Sequence, residues 1–276
     1  MTMEKFQLPV LYVEAPSLGE AWIKTLKAVW DHGKIMPNHY EDLPSKEATV
    51  TVNVTNPLSE PRIHKADYVS TSDIKLNPTY VDEVLKGTID QKVDEGSLSY
   101  TYHRRIWNWG KRVKKHDEFL EKKGLPIIRF FVKDELKEDL GINQMEYLIE
   151  KCVEESISRK LQVVTWAAWK DLKVSGAPCL QRIWFRIVED QEIEKERYLI
   201  MQTSWRSRDL YKAWGSNCAG LVEVGKWVAS ELTRRMKTQI DLIQYVDFSN
   251  SLHIYGSDFP EIERTFTILK KRGELP

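Results

Sequence analysis

The order of predicted elements in the C-terminal half most constrains how this chain can fold. The apolar pattern of Ile183–Ile187, and again of Tyr198–Gln202, is typical of two strands joined by an acidic turn. The helical spacing of apolar residues over Leu210–Leu232 predicts a long helix, and Asp241–Phe248 and Ser251–Tyr255 have the pattern of two further strands. A hairpin followed by a helix and more strands predicts an α+β fold.

A single cysteine lies where this hairpin would bring a thiol close to positive charge. Cys179 follows Pro178 before the first strand, and Arg206, Ser207 and Arg208 follow the second strand. Nearby arginine charge favours the thiolate, the form that a thiol nucleophile needs. The pattern therefore predicts a nucleophile beside an anion site. An isolated cysteine is more often a small buried apolar side chain, and a lone arginine is more often ion-paired at the surface.

The composition narrows the classes of function. The 276 residues carry 41 basic and 41 acidic side chains, so no net charge draws the chain to nucleic acid or to an anionic membrane. Three cysteines, Cys152, Cys179 and Cys218, are too few and too scattered for a disulfide framework or a zinc site. The six histidines show no metal-ligand spacing. This spacing predicts no metal site. Neither a membrane-length apolar run nor a signal pattern is found, so we expect a cytoplasmic protein.

The first predicted element is a helix that a capping box of Ser17 and Glu20 begins and Gly33 ends. The helix beginning at Asn143 is predicted to bury Cys152 and Val153, and the charged segment Lys111–Lys123 is predicted to be solvated. Further elements are a strand over Ala48–Thr55, a short helix over Tyr80–Leu85 after Asn77-Pro78, and a strand over Leu161–Trp166. With no repeat and no clear linker, residues 1–276 are expected to form a single domain.

Four motifs, taken together, resemble the thymidylate synthase family. They are Pro178-Cys179, Arg206-Ser207-x-Asp209, Asn217-x-Ala219 and His253-x-Tyr255, in that order. The turn Ser158-Arg159-Lys160, and Tyr100-Thr101-Tyr102 followed by Arg105-Ile106-Trp107, resemble two other segments of that family. The resemblance is good over residues 140–259 and weaker over 15–110, and it is closest to the compact archaeal-type members.

The resemblance implies a fold, a reaction and a set of reacting groups. The fold would be a mixed β-sheet packed with helices, with sheets stacking across a two-fold homodimer interface. The reaction would be the reductive methylation of dUMP, with 5,10-methylenetetrahydrofolate or a related reduced pterin as co-substrate. Cys179 would be the nucleophile that adds to C6 of the pyrimidine. Tyr102 would abstract a proton, with Tyr100 as the near alternative, and Glu83 would correspond to a proton-relay glutamate.

The same resemblance assigns the groups that bind substrate. Arg206 and Ser207 would hold the 5′-phosphate, and Asn217 would bind the O4 and N3–H edge of uracil, for which an amide has both a donor and an acceptor. The remaining assignments are His253 and Tyr255 to the ribose 3′-hydroxyl, Asp209 to the pterin, and Arg159 and Lys160 to the phosphate of the partner subunit. The family's N-terminal arginine loop, which adds a phosphate contact, is not recognisable here, and Lys46 would be its substitute.

Departures from the family pattern leave two alternatives open. Leu180 stands where the family has histidine, and Trp205 stands where it has glutamine. One alternative is a pyrimidine-nucleotide hydroxymethylase of the same fold, which differs in how well aromatic residues such as Trp107 and Trp109 exclude water. The other is a nucleotide- or RNA-binding module without turnover, which the absence of net positive charge disfavours.

Overall fold

A mixed sheet forms the centre of the structure, a computed structural model that describes residues 7–75, 79–110, 141–174, 176–189 and 196–275. The strands are β1 (Val10–Ala15), β2 (Lys34–Met36), β3 (Ser45–Val54), β4 (Gln162–Val164), β5 (Leu180–Glu189), β6 (Arg197–Trp205), β7 (Arg208–Asp209) and β8 (Ile240–Ile254). Their order is β1-β3-β8-β6-β5-β4, with β2 paired to β3 and β7 paired to β8. The pairs β1–β3, β6–β8 and β7–β8 are parallel and the others are antiparallel.

Helices pack against one face of this sheet and bury alternate side chains of its strands. The helices in the described ranges are α1 (Leu18–His32), α2 (Tyr68–Lys75), α3 (Tyr80–Lys86), α4 (Gln91–Asp94), α5 (Tyr102–Trp107), α6 (Gln144–Glu154), α7 (Ala168–Asp171), α8 (Trp214–Met236) and α9 (Phe259–Lys271). Helix α8 lies so close to the sheet that a Cβ on Gly225 would come within 2.8 Å of Met201 Sδ. The predicted mixed sheet packed with helices is confirmed.

The two strands predicted over Asp241–Phe248 and Ser251–Tyr255 are one continuous strand, β8. It is central in the sheet, between β3 and β6, and it pairs with both up to Ser249 and with β3 and β7 again at Leu252, so the strand continues across Asn250. Tyr255 therefore follows the end of the strand rather than lying within it.

Helix α8 begins four residues later than its apolar pattern predicts. Arg208 and Asp209 pair with β8 as strand β7, and the Asp209 carboxylate accepts hydrogen bonds from the backbone N–H groups of Tyr211 and Lys212 at 2.9 and 3.0 Å. These bonds form a turn before the helix, so the first helical residue is Trp214. The predicted inner face is confirmed, because Leu221, Val224, Val228 and Leu232 are all buried.

The predictions for the first half of the chain are mostly confirmed, with shifted ends. Ser17 caps α1 by accepting from the Glu20 N–H, and Gly33 ends it. Strand β1 precedes α1, so the prediction that a helix comes first is wrong. Helix α3 is capped by Thr79, while Asn77-Pro78 and Lys111–Lys123 lie outside the described residues.

The Asn143 cap and the inner face of α6 largely follow the prediction. Asn143 accepts from the Glu146 N–H, and Cys152 is fully buried. Val153 is 42% exposed, so its predicted burial is wrong. The strand predicted over Leu161–Trp166 is shorter, because only Gln162–Val164 pairs with β5. No helix in the described ranges is both long and apolar enough to cross a membrane.

Candidate active site

Cys179 and Arg206 are joined directly at one end of the β5–β6 pair. The Arg206 N–H donates to the Cys179 carbonyl oxygen at 2.9 Å. The Arg206 side chain reaches back along the same segment, donating from Nε to the Pro178 carbonyl at 3.0 Å and from Nη2 to the Ala177 carbonyl at 2.7 Å. Three hydrogen bonds from one arginine thus fix the backbone that carries the thiol.

Burial and charge act on the Cys179 thiol in opposite directions. Burial raises its pKa above the ordinary value, whereas the charges of Arg206 and Arg208 lower it by a smaller amount. The arginine charges therefore lower the pKa of the Cys179 thiol, as expected. The net pKa is nevertheless raised, because the loss of hydration of the thiolate on burial outweighs the attraction of the arginine charges.

Two tyrosine hydroxyls lie beside this thiol. The Tyr102 hydroxyl accepts from the Leu180 N–H at 3.2 Å, and its ring meets Trp205 edge to face at 6.0 Å. Tyr100 is hydrogen-bonded to Tyr102, and the two ring centroids are 5.5 Å apart. Burial raises the pKa of both phenols, that of Tyr102 well above its ordinary value, so both are neutral near pH 7. The structure thus places both candidate tyrosines at Cys179.

The pairing of β7 with β8 brings Asp209 beside His253. These two residues are register partners, and the Leu210 N–H donates to the His253 carbonyl at 2.8 Å. Tyr255 meets the His253 ring edge to face, with centroids 4.8 Å apart. Burial lowers the pKa of His253, so its imidazole is neutral near pH 7. His253 and Tyr255 are therefore in contact, although Tyr255 has left the strand.

The pKa of the Asp209 carboxyl group is unusually high for an aspartate. Burial raises its pKa to about 6, and the two backbone N–H groups that its carboxylate accepts lower the pKa by less. The nearby Asp209 charge also contributes, after burial, to raising the pKa of Tyr255 to about 12. Asp209 Oδ1 takes both backbone hydrogen bonds, which leaves Oδ2 for a ligand N–H.

Asn217 lies in the first turn of α8. Its backbone N–H donates to the Ala213 carbonyl at 3.0 Å. Its side-chain amide makes no hydrogen bond to another residue of the described ranges, and the same holds for the Ser207 hydroxyl. The next residue, Cys218, points inward, with its sulfur 3.6 Å from both Arg208 Nη1 and the Tyr245 hydroxyl.

Arg208 is the residue that the sequence reasoning missed in the Arg-Ser-x-Asp motif. It is buried and ion-paired with Asp247, and its guanidinium lies 4.0 Å over the Trp205 ring. The Asp247 carboxylate also accepts hydrogen bonds from three further side chains, those of Thr203, Trp214 and Tyr245. The inward Arg208 side chain thus anchors the loop from which Arg206, Ser207 and Asp209 extend. Strand alternation could have found its partner, since Asp247 is on the buried face of β8.

Arg159 and Lys160 are not brought to Cys179 within one chain. Both are exposed, and the Arg159 carbonyl accepts from Trp184 Nε1 at 3.0 Å. Trp184 is five residues along β5 from Cys179, a separation of about 16 Å at the rise of an extended strand. The Lys46 ammonium lies 4.6 Å from the Trp30 ring centroid and donates to the Trp30 carbonyl. The Lys46 ammonium therefore interacts with Trp30 in this structure.

The described residues contain no group of three or more His, Cys, Asp or Glu side chains placed to hold a metal ion.

Known proteins match nearly the whole chain. The family model described as "Thymidylate synthase" matches residues 24–274. A Methanosarcina mazei protein named "Putative thymidylate synthase" is 25% identical over 251 residues, covering 91% of this chain and 92% of that protein. A Methanocaldococcus jannaschii protein of the same name is 23% identical over 267 residues, covering 95% and 96%.

Proposed function

The chain belongs to the thymidylate synthase family, and from that premise we propose that it methylates dUMP to dTMP with Cys179 as the nucleophile. The observation that carries the proposal is the junction between Cys179 and Arg206. Arg206 holds the thiol segment through its backbone N–H, Nε and Nη2. Its Nη1 makes no hydrogen bond to another described residue and, with the Ser207 hydroxyl, is available to a 5′-phosphate. A phosphate bound there would tie the nucleotide to the segment that presents the thiol.

Each residue of the site then has a role in the reaction. The Cys179 thiolate forms a bond to C6 of uracil, and an electron pair moves to the C4 carbonyl oxygen. The Asn217 amide N–H stabilises the charge on that oxygen. C5 then forms a bond to the one-carbon unit of the folate. The C5 proton passes to the Tyr102 hydroxyl oxygen as that hydroxyl gives its own proton to Tyr100, and Tyr100 gives a proton to solvent. The folate amine leaves the one-carbon unit, hydride from the folate adds to the resulting methylene group, and the electron pair that returns breaks the sulfur–carbon bond. His253 and Tyr255 bind the sugar hydroxyl.

The residues present fit a reduced folate as the second substrate. Asp209 offers Oδ2 as an acceptor for a pterin N–H, and its carboxylate is held in place by the backbone of Tyr211 and Lys212. Above about pH 6 the group is ionised and can only accept. When bound, the folate supplies the one-carbon unit and the hydride.

A homodimer would complete the site. The sheet face away from the helices carries partly exposed apolar side chains on paired strands, among them Trp184 on β5, Ile200 on β6 and Phe248 on β8. A second copy stacked on this face would cover these side chains and bring the exposed Arg159 and Lys160 to the partner's phosphate site.

Mass spectrometry of the nucleotide product tests the reaction. We expect dUMP and 5,10-methylenetetrahydrofolate to give dTMP with one equivalent of dihydrofolate. Cys179→Ser should abolish turnover and retain dUMP binding, whereas Cys152→Ser, which alters a cysteine in the core, should retain both. A hydroxymethyl nucleotide formed without dihydrofolate would contradict methylation and support the hydroxymethylase. Turnover by Cys179→Ser would contradict the nucleophile assignment.

A further inference from the structure

The Tyr80 hydroxyl is a buried polar group that the proposed mechanism does not use. Tyr80 is the first residue of α3, and part of its ring is exposed. Its hydroxyl oxygen is buried and has no hydrogen-bond partner among the described residues. Buried hydroxyls are nearly always paired, because an unpaired one loses its hydration without compensation. Among the described residues the hydroxyl is thus left with a hydrogen bond to give, and a bound ligand could accept it.

The Tyr80 ring is held at one defined place on helix α8. It lies over Gly220, where an added Cβ would come within 2.6 Å of Tyr80 Cδ1. Gly220 is three residues after Asn217, so the two positions are neighbours on one helix face. The ring therefore lies one helical turn from the side chain that is proposed to bind the uracil edge.

The hydroxyl is also within electrostatic range of Tyr100 and Tyr102, the two tyrosines beside Cys179. The groups whose charges act on Tyr80 are Tyr100, Arg208, Glu83 and Cys218, and Tyr80 in turn acts on Tyr102. Burial is the largest effect and raises the Tyr80 pKa well above its ordinary value, so the phenol stays neutral. A neutral phenol keeps its proton near pH 7 and can donate one hydrogen bond.

We propose that Tyr80 is a further residue of the base site, whose hydroxyl donates a hydrogen bond to the C4 carbonyl end of uracil beside Asn217. The inference rests on the proposed function. It places a second donor where negative charge develops when the thiolate adds to C6, and donors at such positions accelerate reactions. Glu83, three residues further along α3, was expected from the resemblance to be a proton relay, whereas the buried hydroxyl with no partner in the described part of the chain is that of Tyr80.

The test is Tyr80→Phe, which removes one oxygen and keeps the ring against Gly220. We expect the variant to lower kcat about tenfold to a hundredfold, because one donor to the developing charge is lost. We also expect the Kd for dUMP, measured by calorimetry without folate, to rise about fivefold. The matched control is Tyr147→Phe, which removes the hydroxyl of a tyrosine that is 66% exposed on α6 and should leave both values unchanged.

A double-mutant cycle separates a role of the hydroxyl from a role of the ring. Gly220→Ala should shift the ring and lower kcat in the wild-type background, and it should lower kcat much less when Tyr80 is already phenylalanine. A purely structural ring would give the same loss in both backgrounds, which would overturn the proposal. The thermal unfolding midpoint of each variant shows whether the protein is folded.

The binding and turnover measurements distinguish the two proposals. If the wild-type enzyme is active and Tyr80→Phe has the same kcat and the same Kd for dUMP as Tyr147→Phe, the inference about Tyr80 is overturned. The proposed function is then unaffected. Wild-type protein that binds dUMP without turnover would overturn the function. The Kd ratio would then decide on the Tyr80 contact alone, supporting it if raised and overturning it if unchanged.

Discussion

The backbone N–H of Arg206 donates a hydrogen bond to the Cys179 carbonyl oxygen at 2.9 Å, so the proposed phosphate ligand and the proposed nucleophile share one junction. This arrangement follows from the pairing of β5 with β6, in which Leu180 is opposite Trp205. A nucleotide phosphate bound at Arg206, as proposed, would therefore be coupled through the backbone to the placement of the thiol.

Cys179 should react as a poorly ionised thiol in the protein without nucleotide. Burial raises its pKa above the ordinary value, so the rate of alkylation by iodoacetamide should still be increasing with pH above pH 9. Arg206→Met removes a charge that lowers this pKa, and it should slow alkylation at pH 8 by roughly tenfold. Intact-protein mass spectrometry gives the rates, with Cys179→Ser as the control for labelling at Cys152 and Cys218. Faster alkylation in Arg206→Met would contradict this account.

Asp209 should make the protein less stable as the pH rises from 4 to 7. Its folded-state pKa is raised to about 6, so the folded protein retains a proton that the unfolded chain has already lost. Its contribution to stability is present below the ordinary aspartate pKa and is lost as the pH passes 6, an effect of up to about 3 kcal/mol. Asp209→Asn should therefore unfold at a higher temperature than wild type at pH 7.5, with a smaller difference at pH 4. A difference independent of pH would exclude this origin.

Removing Arg208 alone from its buried ion pair should lower the free energy of unfolding by much more than removing both Arg208 and Asp247. Arg208→Met leaves an unpaired buried carboxylate and should lower the free energy of unfolding by about 3–5 kcal/mol. Adding Asp247→Leu should recover part of that loss, because no unpaired charge is left. Urea unfolding measures both variants. Additive losses in the double variant would show that the two side chains are not energetically coupled.

Complementation between two inactive variants tests the shared phosphate site. Arg159→Ala and Cys179→Ser homodimers should each be nearly inactive. Unfolding and refolding an equal mixture should restore about one quarter of the wild-type activity, because half the dimers are mixed and each mixed dimer has one complete site. Arg264→Ala, which alters an exposed arginine on α9 away from the proposed interface, is the matched control and should be active by itself. No recovery in a mixture that sedimentation shows to be dimeric would contradict sharing of Arg159.

The sequence was most informative where side-chain pattern and backbone geometry coincide. The Ser17 and Asn143 caps, the inner face of α8 and the strand character of β5 and β6 all depend on neighbours within a few residues. Of the residues that the motifs singled out, the structure brings Arg206, Tyr100 and Tyr102 to Cys179. The ends of elements were less predictable, because β7 and the turn after it delay the start of α8, and β7 pairs with residues more than forty positions away.

The sequence by itself determined the element types, the caps and the candidate residues, because these depend on local spacing and on side-chain chemistry. Tertiary structure alone decided that Arg208 points inward to Asp247, that burial outweighs arginine charge at Cys179, and that the Tyr80 ring packs on Gly220 with its hydroxyl buried. The physical reason is that hydration and partner charge depend on residues distant in the chain, and only packing determines how much water and which charges each group meets.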